Sequence, residues 1–285
     1  MRLLQPILSF ALLCLLTIAV SVPVASAADP VKVTFQARIM EGAPPLKGDV
    51  QWAITPLDAS GTPKQTLTKA APELSLLPGR YRATATLGYV TASRDMTISA
   101  AGKQDIVLNG GFMRLAMIPD RKGKPINDPV RWQVYLYSKD GVDDKRKVTE
   151  LTDPSPQLVL PVGYYVVRSK YQGIDAEMVA EVKLGILYKY TVVAYAGKIQ
   201  LSAVDNKGRP VKSNIQWSVE RAPKDATAKR TPVFTDSTAN PQLLLGEGKY
   251  IVVARSGNLM GETPIEVKQF DLKAIKVQLK PQGGA

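Results

Sequence analysis

The 285-residue chain has no histidine and one cysteine, Cys14. Without imidazole it lacks the usual neutral-pH acid–base group and most zinc, copper and haem ligation, and a Ser-His-Asp triad cannot be assembled. Cys14 lies inside an N-terminal apolar segment, so a chain that loses this segment has neither a disulfide nor a thiol nucleophile. No second apolar run approaches the ~18 residues of a membrane span, no convincing amphipathic helix appears, and no Gly-rich phosphate loop opens a helix. Chemistry would be left to carboxylates, Ser-Lys or Tyr. A glycosidase-type carboxylate pair stays open, because its members can be distant in the chain. The reading is a non-enzymatic protein with no catalytic residues, no cofactor and no metal.

The first 27 residues read as an export signal. Arg2 supplies the positive start, Ile7 to Val20 is nearly continuously apolar, and Ala25-Ser26-Ala27 is an A-x-A-like cleavage site. Cleavage leaves 258 residues starting at Ala28, placing the protein in the periplasm or outside the cell without a transmembrane span. Retention as an uncleaved anchor is the alternative, which Pro23 and the small residues after it disfavour. Lipidation of Cys14 is disfavoured by Leu13 before it and the apolar residues beyond.

The formal net charge is +12. Across residues 28–111, 112–197 and 198–285, Lys and Arg exceed Asp and Glu by 2, 3 and 6, so the basic excess grows toward the C-terminus. Such a surface favours an acidic glycan, an anionic lipid surface or an acidic envelope protein; it serves equally for solubility. Nucleic acid is not expected.

One phrase returns three times with fixed spacing: Pro72-Leu74-Leu76-Gly79-Tyr81, Pro156-Leu158-Leu160-Gly163-Tyr165 and Pro241-Leu243-Leu245-Gly248-Tyr250. Trp52, Trp132 and Trp217 precede the tyrosines by 29, 33 and 33 residues, and Pro45, Pro125 and Pro210 stand seven residues before the tryptophans. Copies two and three share Asp-x-Lys-Gly-x-Pro at 120–125 and 205–210. The chain is therefore a tandem array of three modules, 28–111, 112–197 and 198–285.

Within each copy apolar residues alternate. Val50, Trp52 and Ile54 share one face, as do Val130, Trp132 and Val134, and Ile215, Trp217 and Val219; Tyr81, Tyr165 and Tyr250 start similar runs. These are half-buried antiparallel strands, apolar inward and cationic outward. Copies of 84 to 88 residues with frequent Gly, Pro and Asn turns predict an all-β fold of three tandem immunoglobulin-like or prealbumin-like antiparallel β-sandwiches. The tryptophans and tyrosines are structural core residues, and Gly79, Gly163 and Gly248 allow a close corner before each tyrosine. Asn109-Gly110 is a strong hairpin signal, so strand pairing across the first junction is the alternative to a tight linker.

Leu-Leu-Pro-Gly-Arg-Tyr-Arg-Ala-Thr-Ala at 76–85, followed by Gly88 and Asn109-Gly110-Gly111, resembles bacterial carboxypeptidase regulatory-like domains, as does Asp-x-Lys-Gly-x-Pro ahead of the tryptophan. The resemblance covers all three copies through turn and core residues. It implies a prealbumin-like sandwich in an accessory or binding role, and carries over no catalytic residues.

Local function is sought where one copy departs from the others. Copy two holds eight of the eleven tyrosines. Tyr135 and Tyr137 alternate with Trp132, and Tyr164 opposes Tyr165, so an outer face is expected to gather Tyr135, Tyr137 and Tyr164 beside Arg131, Arg168 and Lys170. Rings interleaved with cations suit a glycan, an acidic polymer or a protein partner; cover by an adjacent module, or the strand preference of tyrosine, accounts for them otherwise. The acidic tract Asp140-Gly141-Val142-Asp143-Asp144 lacks the twelve-residue calcium pattern and reads as a solvated hairpin tip.

Overall fold

The computed structural model describes residues 29–58, 63–141, 144–223 and 229–282. The expected leader with Cys14, and Val142 and Asp143 of the acidic tract, lie outside the described residues. No helix among the described residues is long and apolar enough to cross a membrane.

The chain forms three β-sandwiches. The first comprises β1 (Val31–Arg38), β2 (Gln51–Pro56), β3 (Gln65–Thr68), β4 (Glu73–Leu76), β5 (Gly79–Leu87), β6 (Val90–Ile98) and β7 (Gly102–Val107). Its sheets are β4-β1-β7 and β3-β2-β5-β6. The second comprises β8 (Gly110–Ile118), β9 (Val130–Leu136), β10 (Lys147–Asp153), β11 (Gln157–Pro161), β12 (Gly163–Tyr171), β13 (Ile174–Val182) and β14 (Leu187–Val193), in sheets β11-β8-β14 and β10-β9-β12-β13. The third comprises β15 (Gly197–Val204), β16 (Pro210–Val211), β17 (Gln216–Arg221), β18 (Thr231–Asp236), β19 (Gln242–Leu245), β20 (Gly248–Ser256), β21 (Leu259–Val267), β22 (Leu272–Gln278) and β23 (Lys280–Pro281). There β15 lies between β22 on one side and β16 and β19 on the other, facing the sheet β18-β17-β20-β21-β23.

The ladders are antiparallel with one exception per sandwich: β1 runs parallel to β7, β8 to β14 and β15 to β22. In each sandwich the seven main strands (in the third, those other than the two-residue β16 and β23) reverse direction at each connection, so the first and last of them point the same way and pair in parallel. The expected antiparallel sandwiches are present, each with this one parallel pair.

The repeated residues make the same bonds three times. Trp52, Trp132 and Trp217 are buried, and their indole N–H groups donate to the carbonyls of Lys69, Asp153 and Thr238 at 2.9, 2.8 and 2.9 Å. The hydroxyls of Tyr81, Tyr165 and Tyr250 donate to the carbonyls of Leu77, Pro161 and Gly246, each four residues back, at 2.8, 2.7 and 2.9 Å. A buried indole or phenol needs such a partner, and these bonds clamp the chain where it changes sheets. Burial pushes the Tyr165 phenol up to about 12. The carbonyls of Pro72, Pro156 and Pro241 accept from Phe35, Leu115 and Leu201 on the first strand of each sandwich.

The junctions are packed. Phe112 and Val159 of the second sandwich pack against the core of the first, and Leu244 of the third against the core of the second. The two-residue turn between β5 and β6 meets β11, and the corresponding turn between β12 and β13 meets β19. The Tyr89 amide donates to Val159 O at 2.9 Å, and the Leu244 amide donates to Gln172 Oε1 at 3.0 Å. Arg221 lies over the Tyr250 ring and donates to the Gly173 carbonyl. The linkers turn on single left-handed residues, Asn109 (φ 58°) and Tyr195 (φ 49°). Asn109-Gly110 makes no hairpin: β7 pairs with β1, and β8 with β11 and β14. Just beyond, Gly111 and Gly197 admit no side chain, since a Cβ would stand 2.2 Å from Lys183 O and 2.7 Å from Val267 Cγ1 respectively.

Candidate functional site

The tyrosine-bearing face of the second sandwich is built by β9, β10, β12 and β13. Tyr137 and Tyr164 are 46 % and 55 % exposed and meet edge-to-face with centroids 6.5 Å apart, the Tyr137 amide donating to Tyr164 O at 3.0 Å. Tyr135 is on this face but only 2 % exposed, with the Arg168 guanidinium 5.6 Å above its ring centroid. The expectation of three accessible rings is corrected to two, because a side chain pointing away from the core can still be covered by its neighbours.

The cations of this face are occupied. On the β12–β13 hairpin, Arg168 faces Glu177 and Lys170 faces Asp175, with N···O distances of 2.6 and 3.3 Å. Glu150 on β10 accepts from Gln133 (2.8 Å), Arg131 (2.7 Å) and Lys147 (3.2 Å). These donors, Gln133 first, hold its carboxyl at about 2. A hydrogen bond to Glu181 raises the Tyr164 phenol, and Glu181 also pairs with Lys183 at 3.3 Å. The face is thus a lattice of ion pairs, five cations against four carboxylates, bearing two open rings. The hairpin part was readable in advance: counting outward from Gln172-Gly173 sets Glu177 opposite Arg168 and Asp175 opposite Lys170.

A second site was not anticipated. A groove of about 750 Å³ lies where the second and third sandwiches meet. Register builds its floor on the outer face of β19, β15 and β22. Leu244, Lys198 and Leu272 form one row, and Gln242, Gln200 and Ala274 the next. The wall comes from the second sandwich: the loop carrying Lys124, Pro125 and Asp128, and Tyr171-Gln172.

The wall's acid is already committed, since the Tyr171 hydroxyl donates to Asp128 Oδ2 at 2.6 Å. Burial, reinforced by Asp128, raises the Tyr171 phenol, which stays protonated as donor. Asp236, at the groove's edge, accepts from the Thr238 amide, and Lys273 is paired with Asp271 at 2.8 Å. Among the described residues Lys124 and Lys198 have no carboxylate within ion-pair distance. Leu272 is 81 % exposed. No local pattern announces this groove, because its floor and wall belong to different repeats.

No protein-family model matches the chain, and no curated protein matches it. Among solved structures it aligns with the Bacillus anthracis TIE protein at 16 % identity and a TM-score of 0.28, over 90 % of this chain and 51 % of that one, so it spans about half of that protein's length. A streptococcal ancillary pilin aligns at 13 % identity and a TM-score of 0.34, over 89 % and 100 % of the two chains. The shaft pilin SpaA from Lactobacillus rhamnosus GG aligns at 12 % identity and a TM-score of 0.31, over 62 % and 99 %. TM-scores this low do not establish a shared arrangement, and no property of those proteins is carried over to this chain.

Proposed function

We propose that the protein is an exported, non-enzymatic component of the cell envelope that binds or scaffolds another envelope component. Its modules are 28–111, 112–197 and 198–285, following a leader cleaved after Ala27. The observation that carries this reading is the packing at the junctions. Phe112 and Val159 complete the first core and Leu244 the second, so neighbouring modules are held in a set relation, as a scaffold requires. The turn and core residues that resemble carboxypeptidase regulatory-like modules support an accessory role for each. Crosslinking in intact envelope, followed by pull-down of the mature chain, tests it. One envelope protein recovered in fixed ratio is expected; recovery of the uncrosslinked chain alone would overturn the reading.

The exposed Tyr137–Tyr164 pair favours a second reading, carbohydrate or acidic-polymer binding on the second module. Tyr137→Ser with Tyr164→Ser, leaving buried Tyr135 intact, should then abolish retention on envelope polysaccharide. Undiminished retention removes this reading.

A further inference from the structure

β13 is an outer strand of its sheet, and its pairing with β12 shows which of its backbone groups are left over. In a two-residue hairpin the closing pair, here Tyr171 and Ile174, exchanges both hydrogen bonds, so alternate residues from Ile174 to Val182 bond to β12. Asp175, Glu177, Val179 and Glu181 therefore turn their amides and carbonyls to the open side. An edge of this kind is a template for another strand. Of the four residues only Val179 is apolar, and it is 53 % exposed.

At Glu181 that side is occupied. The Tyr190 hydroxyl, from β14 in the facing sheet, accepts from the Glu181 amide at 2.8 Å and donates to the Glu181 carbonyl at 2.7 Å. One hydroxyl thus makes the two bonds that a residue of a neighbouring antiparallel strand would make. The third sandwich covers the same place by other means. Glu266 lies opposite Lys249 as Glu181 lies opposite Tyr164, and its carbonyl accepts from Lys273 Nζ at 2.6 Å. Lys273 pairs with Ile199, whereas Tyr190 pairs with Leu115, whose counterpart in the third sandwich is Leu201. Two unlike residues at non-equivalent positions cover one carbonyl, so the cover does not follow from the repeat pattern. In the first sandwich Arg94 of β6 reaches across the same opening to the Asp105 carbonyl of β7 at 3.3 Å.

We propose that Tyr190 is an edge guard whose hydroxyl, standing in for a neighbouring strand, keeps β13 from pairing with β13 of a second copy. A strand laid along β13 with Val179 inside its run needs Glu177 on one side and Glu181 on the other. With Glu181 taken, the run stops at Val179 and keeps only two carboxylate-bearing positions, Asp175 and Glu177. A second copy is the occupant because the edge is self-complementary. Paired antiparallel about a twofold axis, Val179 meets Val179, and Glu181 of each copy meets Glu177 of the other. Those carboxylates keep their own cations, Lys183 and Arg168, at 3.3 and 2.6 Å. Each copy's hydroxyl blocks one end of that ladder, and together they leave it the Val179 pair alone.

The test compares the mature chain with Tyr190→Phe by sedimentation velocity over a range of concentrations. Tyr190→Phe should self-associate at least tenfold more tightly than the parent, with hydrogen exchange slowed at the Glu177 and Val179 amides. Adding Val179→Lys places a charge on the edge and should return the chain to the parent's mass. Tyr188→Phe removes the neighbouring phenol hydroxyl and should change nothing. An unchanged mass of Tyr190→Phe at every concentration, or association that persists with Val179→Lys, would overturn the proposal. Faster exchange along the β12–β13 ladder of Tyr190→Phe without association would mean that the hydroxyl serves folding, and would overturn it too.

Discussion

The amide of Tyr89, at the tip of the β5–β6 hairpin, donates to the carbonyl of Val159 on β11 at 2.9 Å, and joins two sandwiches through one backbone hydrogen bond. Beside it the Tyr89 hydroxyl bonds to Thr149 Oγ1 at 2.5 Å. The contact depends on the residue before Tyr89.

Gly88 has φ +58°, and a Cβ there would lie 2.9 Å from Val159 O. Left-handed backbone costs an L-residue roughly 1–2 kcal/mol, and the crowding adds to this. Gly88→Ala should therefore open the first junction. Limited proteolysis should cut between the first two modules faster than in the parent chain; an unchanged digest would show that the contact does not hold them.

Gly111→Ala should be far more damaging than Gly48→Ala. A Cβ at Gly111 meets Lys183 O at 2.2 Å, whereas at Gly48 nothing lies within 4 Å. Overpacking of this kind costs about 1–3 kcal/mol. Urea midpoints compare the two, and equal midpoints would contradict the close approach of strand and turn at that glycine.

Removing the Tyr250 hydroxyl leaves the Gly246 carbonyl without the 2.9 Å bond it receives. An orphaned buried acceptor costs about 1–3 kcal/mol, so Tyr250→Phe should destabilise the third module by that amount. Trp217 is the only tryptophan in residues 198–285, so its fluorescence, with Trp52 and Trp132 replaced by Phe in both chains, reports that module's unfolding.

Glu150 contributes a pH dependence of known sign. Its carboxyl is held at about 2 against an ordinary 4.5, so the folded state favours the ionised form. Its stabilisation is present in full above pH 4.5 and is lost as pH falls toward 2. Glu150→Gln should flatten the loss of stability across that window while leaving the slope above pH 5 unchanged. Urea midpoints at pH 7, 4.5, 3 and 2 give the comparison, and parallel curves would mean that the Gln133–Arg131–Lys147 cluster does not bind the charge.

The all-β class was legible because alternation needs only neighbouring residues. Val130, Trp132 and Val134 announce a strand wherever that strand pairs. The parallel partnership of β1 with β7 was less visible, since it depends on how many strands intervene. The candidate sites were legible least. Tyr135 carries the same pattern signal as Tyr137, yet one ring lies beneath Arg168 and the other is open, a difference decided by side chains about 30 residues away.

By itself the sequence determined the threefold repeat, the strand periodicity and the punctuating glycines and prolines, because backbone sterics and turn chemistry act over a few residues. Only the tertiary structure decided which acids neutralise the outward cations beyond the β12–β13 hairpin, which rings are covered, and that Lys124 and Lys198 face one groove. These follow from strand register and module docking, in which residues far apart in the chain, such as Lys124 and Lys198, are brought together by packing that no local pattern encodes.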